Sequence, residues 1–224
     1  MRRNSVAIVI VMITLMSCVT SLHPLVTYNT AIADDRITGV WTENGQEYKV
    51  QKFFNSGFFE LNKDDLEKER KDNGGKLSEK SNRDSLLFSK SYVITYTKNG
   101  IRYDLFGNMI RLNGQLFANF LAVDMNNING KDEKIELNNR LESGTIARVQ
   151  FKNANTIQLD FIDGDFLYKQ INAGNMKIKH ESDKLYDTFL ITASTAELQQ
   201  FIQKYGNDDR FFDKENSVTL IRKS

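Results

Sequence analysis

The sequence predicts a mainly β body, a β-rich α+β domain built as an antiparallel meander or barrel-like sheet with a C-terminal amphipathic helix. Three observations carry that prediction. Short runs of alternating apolar and polar side chains recur around Asn-Gly pairs at 44–45, 99–100 and 113–114, the pattern of antiparallel hairpins. The only proline, Pro24, precedes all of them, so every strand keeps the N–H groups that a ladder requires. Near the C-terminus, Ser194 to Glu197 spell a capping box ahead of Leu198, Phe201, Ile202 and Tyr205 at helical spacing, with Gly206 as the stop; that is an amphipathic helix with marked ends.

Composition bounds the rest. A chain of 224 residues, 40% hydrophobic and 26% charged, suits one globular domain. Thirty basic against twenty-nine acidic residues leave a formal charge of +1, so no net field recommends nucleic acid as a partner. Two histidines and one cysteine are too few for a disulfide within the chain or a Cys/His zinc site. Neither Gly-x-Gly-x-x-Gly nor Gly-x-x-x-x-Gly-Lys-Ser/Thr occurs, so no phosphate cradle is legible. No cofactor and no metal are expected.

The elements follow in order. Arg2 and Arg3 precede an apolar run at 6–16, then Ser17 and Cys18, the layout of an export signal. The run falls short of the roughly 20 residues that span a bilayer. Leu15-Met16-Ser17-Cys18 resembles the bacterial lipobox. That resemblance implies that residues 1–17 are a lipoprotein signal peptide and that Cys18 is the lipidation site, with diacylglycerol on its sulfur and an acyl chain on its new amine. Each acyl methylene entering a membrane contributes ~0.8 kcal/mol, and two or more chains anchor stably. Losing Arg2 and Arg3 takes the formal charge from +1 to −1. Residues 18–35 show neither helical nor strand periodicity and contain His23 and Pro24. They read as a lipid-anchored tether able to reach at most ~55 Å when extended.

Residues 36–224 then form one globular domain. Runs at 36–42 and 48–53 make a hairpin across Asn44-Gly45, and 58–61 reads as a third strand. Residues 62–85 hold seven basic and seven acidic side chains, which describes a mobile or partly helical insertion on the outside. Runs at 92–97, 101–112 and 115–123 read as a meander, and 145–151 with 156–162 as a further hairpin with Ile157, Leu159 and Phe161 on one face. A short helix is predicted at 164–171. The run 218–222 would return as an edge or closing strand.

Catalytic constellations are absent from the pattern. His180 is the only histidine of this body, sits among Lys177 and Lys179, and no Gly-x-Ser-x-Gly elbow occurs, so no nucleophile and base can be named together. The Asp/Asn cluster starting at Asp124 fails the EF-hand test, with Asn129 where the loop needs Gly and Ile135 where it needs Glu; it reads as a polar turn. Asp160, Asp163 and Asp165 could do acid–base chemistry only from one cleft, and Asp163-Gly164-Asp165 reads as a turn.

Gly39-Val40-Trp41 resembles the Gly-x-Trp that opens lipocalin and lipocalin-like barrels. The resemblance implies that Trp41 packs across the closed end of a barrel and meets an arginine from late in the chain; Arg222 is the candidate, making Trp41 and Arg222 the expected barrel-end pair. The lipocalin Thr-Asp-Tyr motif is absent, since Tyr186-Asp187-Thr188 has another order. Residues 18–25, 39–41, 113–117 and 190–201 together resemble a family of uncharacterised bacterial envelope lipoproteins. This implies export, lipidation at Cys18 and a β-rich body, and no activity. The expectation is therefore a non-enzymatic lipoprotein of the bacterial cell envelope, held by its lipid anchor to the outer membrane on the periplasmic face. Its partner would be a small apolar ligand or an envelope protein; the alternative is an envelope hydrolase with a carboxylate or Ser-based site. A hollow interior would favour the ligand, and an interior filled by aromatic rings the protein partner.

Overall fold

The computed structural model describes residues 19–127, 143–183 and 188–223. The lipobox and Cys18 lie outside the described residues. Eight strands close into an antiparallel barrel: β2 (Gly39–Glu43), β3 (Gln46–Lys52), β4 (Tyr92–Lys98), β5 (Ile101–Leu112), β6 (Gln115–Asn127), β7 (Gly144–Asn153), β8 (Thr156–Phe161) and β11 (Val218–Arg222). Each pairs with the next in chain order, β11 lies between β8 and β2, and β6 pairs with β7, so no barrel strand is left with a free edge along its paired length. The final run predicted as an edge or closing strand is the strand that completes the circle.

Local chemistry sets the register. At Asn44-Gly45, Asn99-Gly100 and Asn113-Gly114 both residues adopt positive φ, near 50° for Asn and 80° for Gly, the backbone of a two-residue type I′ hairpin. Such a turn fixes the pairs that follow, Glu43 with Gln46, Trp41 with Tyr48, Lys98 with Ile101 and Tyr96 with Tyr103. Every second residue therefore faces the barrel interior.

Strands β5 to β7 bury both faces. Met109, Leu116, Ala118 and Val149 belong to the inner core with Trp41, Tyr92 and Ile157. Ile110, Leu112, Phe117 and Ile146 point outward into a second core. That outer core is built from α3 (Gly164–Asn172), α4 (Thr195–Tyr205), the short strand β10 (Thr188–Ile191), Val19 just before β1 (Thr20–Ser21) and the segment leading from β1 to the barrel; β9 (His180–Asp183) pairs with β10 at its edge. This double burial is why 116–122 reads as an almost unbroken apolar run. β1 runs antiparallel to the start of β7, and β10 runs parallel to β1, which adds a three-stranded flap to the barrel wall.

Helix α4 has the expected capping box, Ser194 and Glu197 each bonding the other's backbone, and buries Leu198, Phe201 and Ile202. Gly206 is needed for space, since its φ is −67°. A Cβ there would stand 2.6 Å from the Ile202 carbonyl and 2.8 Å from the Phe117 ring.

Three expectations are corrected. Residues 19–35 are no tether: Val19, Leu25, Val26 and Ala31 are buried. The Leu25 N–H donates to Asn119 Oδ1 at 2.8 Å, and Gln199 and Thr195 of α4 donate to the Leu25 and Pro24 carbonyls. Apolar side chains spaced without period still find a groove when a strap crosses it. Residues 58–61 are helical, the first turn of α1 (Gly57–Asp72), which with α2 (Glu79–Phe88) forms the charged insertion. The Glu- and Lys-rich continuation without a turn signal extends helix more readily than strand. Finally, 124–127 continue β6 instead of turning, and the remainder of that cluster to 133 lies outside the described residues.

Candidate functional site

The barrel encloses a cavity of about 720 Å³, within the ~300–1,000 Å³ range of small-molecule sites. Strand directions define its two ends. β2, β4 and β8 run toward the end that holds turns 44–45 and 99–100; β3, β5 and β7 run away from it. The opposite end is sealed.

The seal is made by Trp41, Arg222 and the 3-10 turn Asp35–Ile37. Trp41 is 1% exposed, and its indole Nε1 donates to the Ile37 carbonyl at 2.7 Å. The Arg222 guanidinium lies over the indole, 4.2 Å from the ring centre, a cation–π contact on the best ring for it. Its Nη1 donates to the Thr38 carbonyl at 2.8 Å and its Nη2 to the Arg36 carbonyl. Gly39 explains the first letter of the motif. Its φ is +131°, and a Cβ there would stand 2.5 Å from Arg222 Nη1. Both Gly39 and Trp41 thus serve the arginine. Tyr92 ties the strap to the floor: its hydroxyl accepts from the Asp34 N–H at 2.7 Å and donates to the Asp34 carbonyl at 3.2 Å.

Above this floor the lining is apolar, with Val50, Ile94, Leu105, Ala118, Val149, Ile157, Leu159 and Leu220. Nearer the mouth it turns aromatic and then polar. Tyr48, Tyr96 and Tyr103 stand opposite one another on adjacent strands. Their ring centres are 5.3 Å apart for the first pair and 4.9 Å for the second, which is stacked. Tyr48 donates to Glu43 Oε2 at 3.3 Å. Burial, reinforced by the Glu43 charge, pushes the Tyr48 phenol up to about 12; burial likewise raises Tyr96. Glu43, Asn44, Gln46, Lys98, Ser143, Thr145 and Thr20 complete the rim. The cavity is thus graded, with an apolar base, phenolic walls and a polar edge carrying one carboxylate and one ammonium among these side chains.

The other sequence candidates lie elsewhere. His23 is exposed. The His180 ring stacks on Phe189, 4.7 Å between centres, and its Nδ1 lies 3.0 Å from the Ile178 carbonyl; it is on the flap, and among the described residues no nucleophile is bonded to it. Asp160 is on the outer wall, where burial opposes its charge. The hydrogen bonds of Arg148, Gln158 and Ser217 outweigh that and lower its pKa. Asp163 caps α3 by accepting from the Phe166 N–H, in place of the expected turn, and Asp165 is exposed in the first turn of the same helix. The three carboxylates do not share a cleft. Among the described residues no group of three or more His, Cys, Asp or Glu is placed to hold a metal ion, and no helix is long and apolar enough to cross a membrane.

No family model, curated protein or solved structure matches the chain.

The tyrosine ladder is the part of the site that sequence reasoning missed. Its signal was present in the two Asn-Gly turns, which by counting back place Trp41 opposite Tyr48 and Tyr96 opposite Tyr103. The pairing of Tyr48 with Tyr96 had no such signal, because the helical insertion separates their strands.

Proposed function

We propose that this protein is a lipid-anchored lipoprotein of the bacterial cell envelope that holds a small apolar molecule inside its barrel and catalyses no reaction on it. The observation that carries the reading is the open, predominantly apolar cavity of about 720 Å³ above a sealed floor. Fifteen Phe and eight Tyr were enough to fill a barrel. The Phe residues instead go largely to the outer core and to the aromatic group of Phe53, Phe54, Phe88 and Phe106. Eight-stranded barrels are just wide enough to hold one small ligand. The anchor rests on the lipobox resemblance at Cys18 and gives the protein its place at a membrane.

Two experiments test this. Trp41 is the chain's one tryptophan and forms the cavity floor, so a fatty acid brominated at its chain end should quench its fluorescence saturably. Absence of quenching at any concentration below micelle formation refutes carriage. For the anchor, Cys18→Ala should move the protein from the membrane to the soluble fraction and abolish incorporation of labelled palmitate; a variant that stays membrane-bound shows the anchor assignment to be wrong.

A further inference from the structure

The polar groups that line the cavity are unevenly satisfied, and the imbalance falls at one level. At the floor the donors are used: the Trp41 indole N–H goes to the Ile37 carbonyl, and the Tyr92 hydroxyl donates to the Asp34 carbonyl. The aliphatic side chains above them, Ile94, Leu105, Ile157 and Leu159, carry no polar atom. The next tier differs. Tyr96 and Tyr103 pair directly across β4 and β5, and Lys98 follows Tyr96 by two residues on the same face of β4. Neither phenol hydroxyl nor the ammonium is hydrogen-bonded or ion-paired among the described residues. Glu43, the one carboxylate among the described lining residues, already accepts from the Tyr48 hydroxyl at 3.3 Å. Burial raises the Tyr96 phenol, which keeps its proton in place as a donor. Two hydroxyls and an ammonium thus line one stretch of wall with no anion to receive them. Unpaired donors in a partly buried site cost free energy, which a guest recovers by bringing the acceptor.

Resting on the carriage reading above, we propose that the guest is a single-chain amphiphile with a carboxylate head, bound tail-down. Its chain lies against the aliphatic base with its end toward Trp41, and its carboxylate accepts from Tyr96, Tyr103 and Lys98. The reverse orientation would bury the carboxylate against the floor, where the Trp41 and Tyr92 donors are already taken. Lys98 stands six residues beyond Tyr92 on β4, about 20 Å along the strand, a depth that suits an extended chain. One ammonium balances one negative charge, and the Glu43 charge on the same polar edge opposes a second, such as a phosphate monoester would carry.

The test compares three guests that share a terminally brominated dodecyl chain and differ in the head: the carboxylic acid, the primary alcohol and the primary amine. Each is titrated into the purified protein at neutral pH, below micelle formation, with Trp41 fluorescence as the readout. The acid should bind ~10-fold more tightly than the alcohol, the low end for hydrogen bonds to a charged group, and the amine more weakly than either. Lys98→Met, which keeps the apolar stem at an exposed position, should remove the acid's advantage and leave the alcohol unchanged. Tyr96→Phe and Tyr103→Phe should each lower the acid's affinity ~3-fold. The same acid brominated beside its carboxylate should quench Trp41 less than the terminally brominated one; equal or stronger quenching overturns the orientation. Equal binding of acid and alcohol, tighter binding of the amine, an acid preference that survives Lys98→Met, or an acid affinity unmoved in both phenylalanine variants overturns the head assignment while carriage stands. If none of the three guests quenches Trp41, the carriage reading itself has failed.

Discussion

Gly39 shows how a single hydrogen atom can be required by chemistry that comes from the far end of the chain, on the neighbouring strand β11. Its φ of +131° alone disfavours a side chain, and a Cβ would collide with the guanidinium that seals the barrel. Gly39→Ala should therefore cost ~2 kcal/mol, well beyond an ordinary surface Gly→Ala, read as a lower midpoint in urea. Gly45→Ala, also at positive φ but with open space around it, should cost less, the difference being the collision with Arg222. The phenol of Tyr48 offers a second check. Its pKa is raised by burial and by Glu43 to about 12, so the fold favours the neutral form. The stability this linkage contributes is full below the unfolded value near 10 and is lost as pH rises through about 12. A phenolate absorbance titration should show a tyrosine ionising near 12 that disappears in Tyr48→Phe.

Elements owe their places to contacts that their own sequences announce unevenly. α4 was legible to the residue because its capping box is local, and Ser194→Ala should cost about 1 kcal/mol in thermal or urea unfolding. Glu197 is held at about 2 by hydrogen bonds from Lys179 and then Ser194, so its contribution persists above the usual 4.5 and fades as pH falls toward 2. Glu197→Gln should flatten the acid limb of the unfolding curve over that window. The strap at 19–34 is the opposite case. Nothing periodic marks it, yet Leu25 is fully buried, with its N–H and C=O both bonded to side chains of other elements. Leu25→Ala should cost 2–5 kcal/mol, as a core leucine does; a loss under ~0.5 kcal/mol, typical of a surface site, would mean that the strap is not held as described. β1, β9 and β10 were equally silent, being two to four residues long and paired only through neighbours distant in sequence.

For the molecule as a whole, the barrel was readable where turns are two residues long; at the closure, where β11 returns 57 residues after β8, the run 218–222 could be read as an edge or a closing strand, and only its pairing with both β8 and β2 decides between them. Alternation could show which residues share a face. It could not show that the inward faces of eight strands leave a volume unfilled, because packing density is a property of the closed set. That unfilled volume is also what separates a ligand carrier from a barrel held together by its core alone. Ala122 points into the upper cavity from β6, opposite Leu105. Replacing it with Phe adds a ring where there is space, so Ala122→Phe should fold with a melting temperature at or above that of the parent, since apolar area is buried without displacing neighbours. The same ring occupies the path of the guest, and the brominated fatty acid should bind at least ~10-fold more weakly, a loss of about 1.4 kcal/mol. Lys49→Ala, on the outward face of β3, should change neither. Retained affinity in a well-folded Ala122→Phe protein would place the ligand outside the barrel, whereas a collapse in stability would show that the space above the floor is already filled.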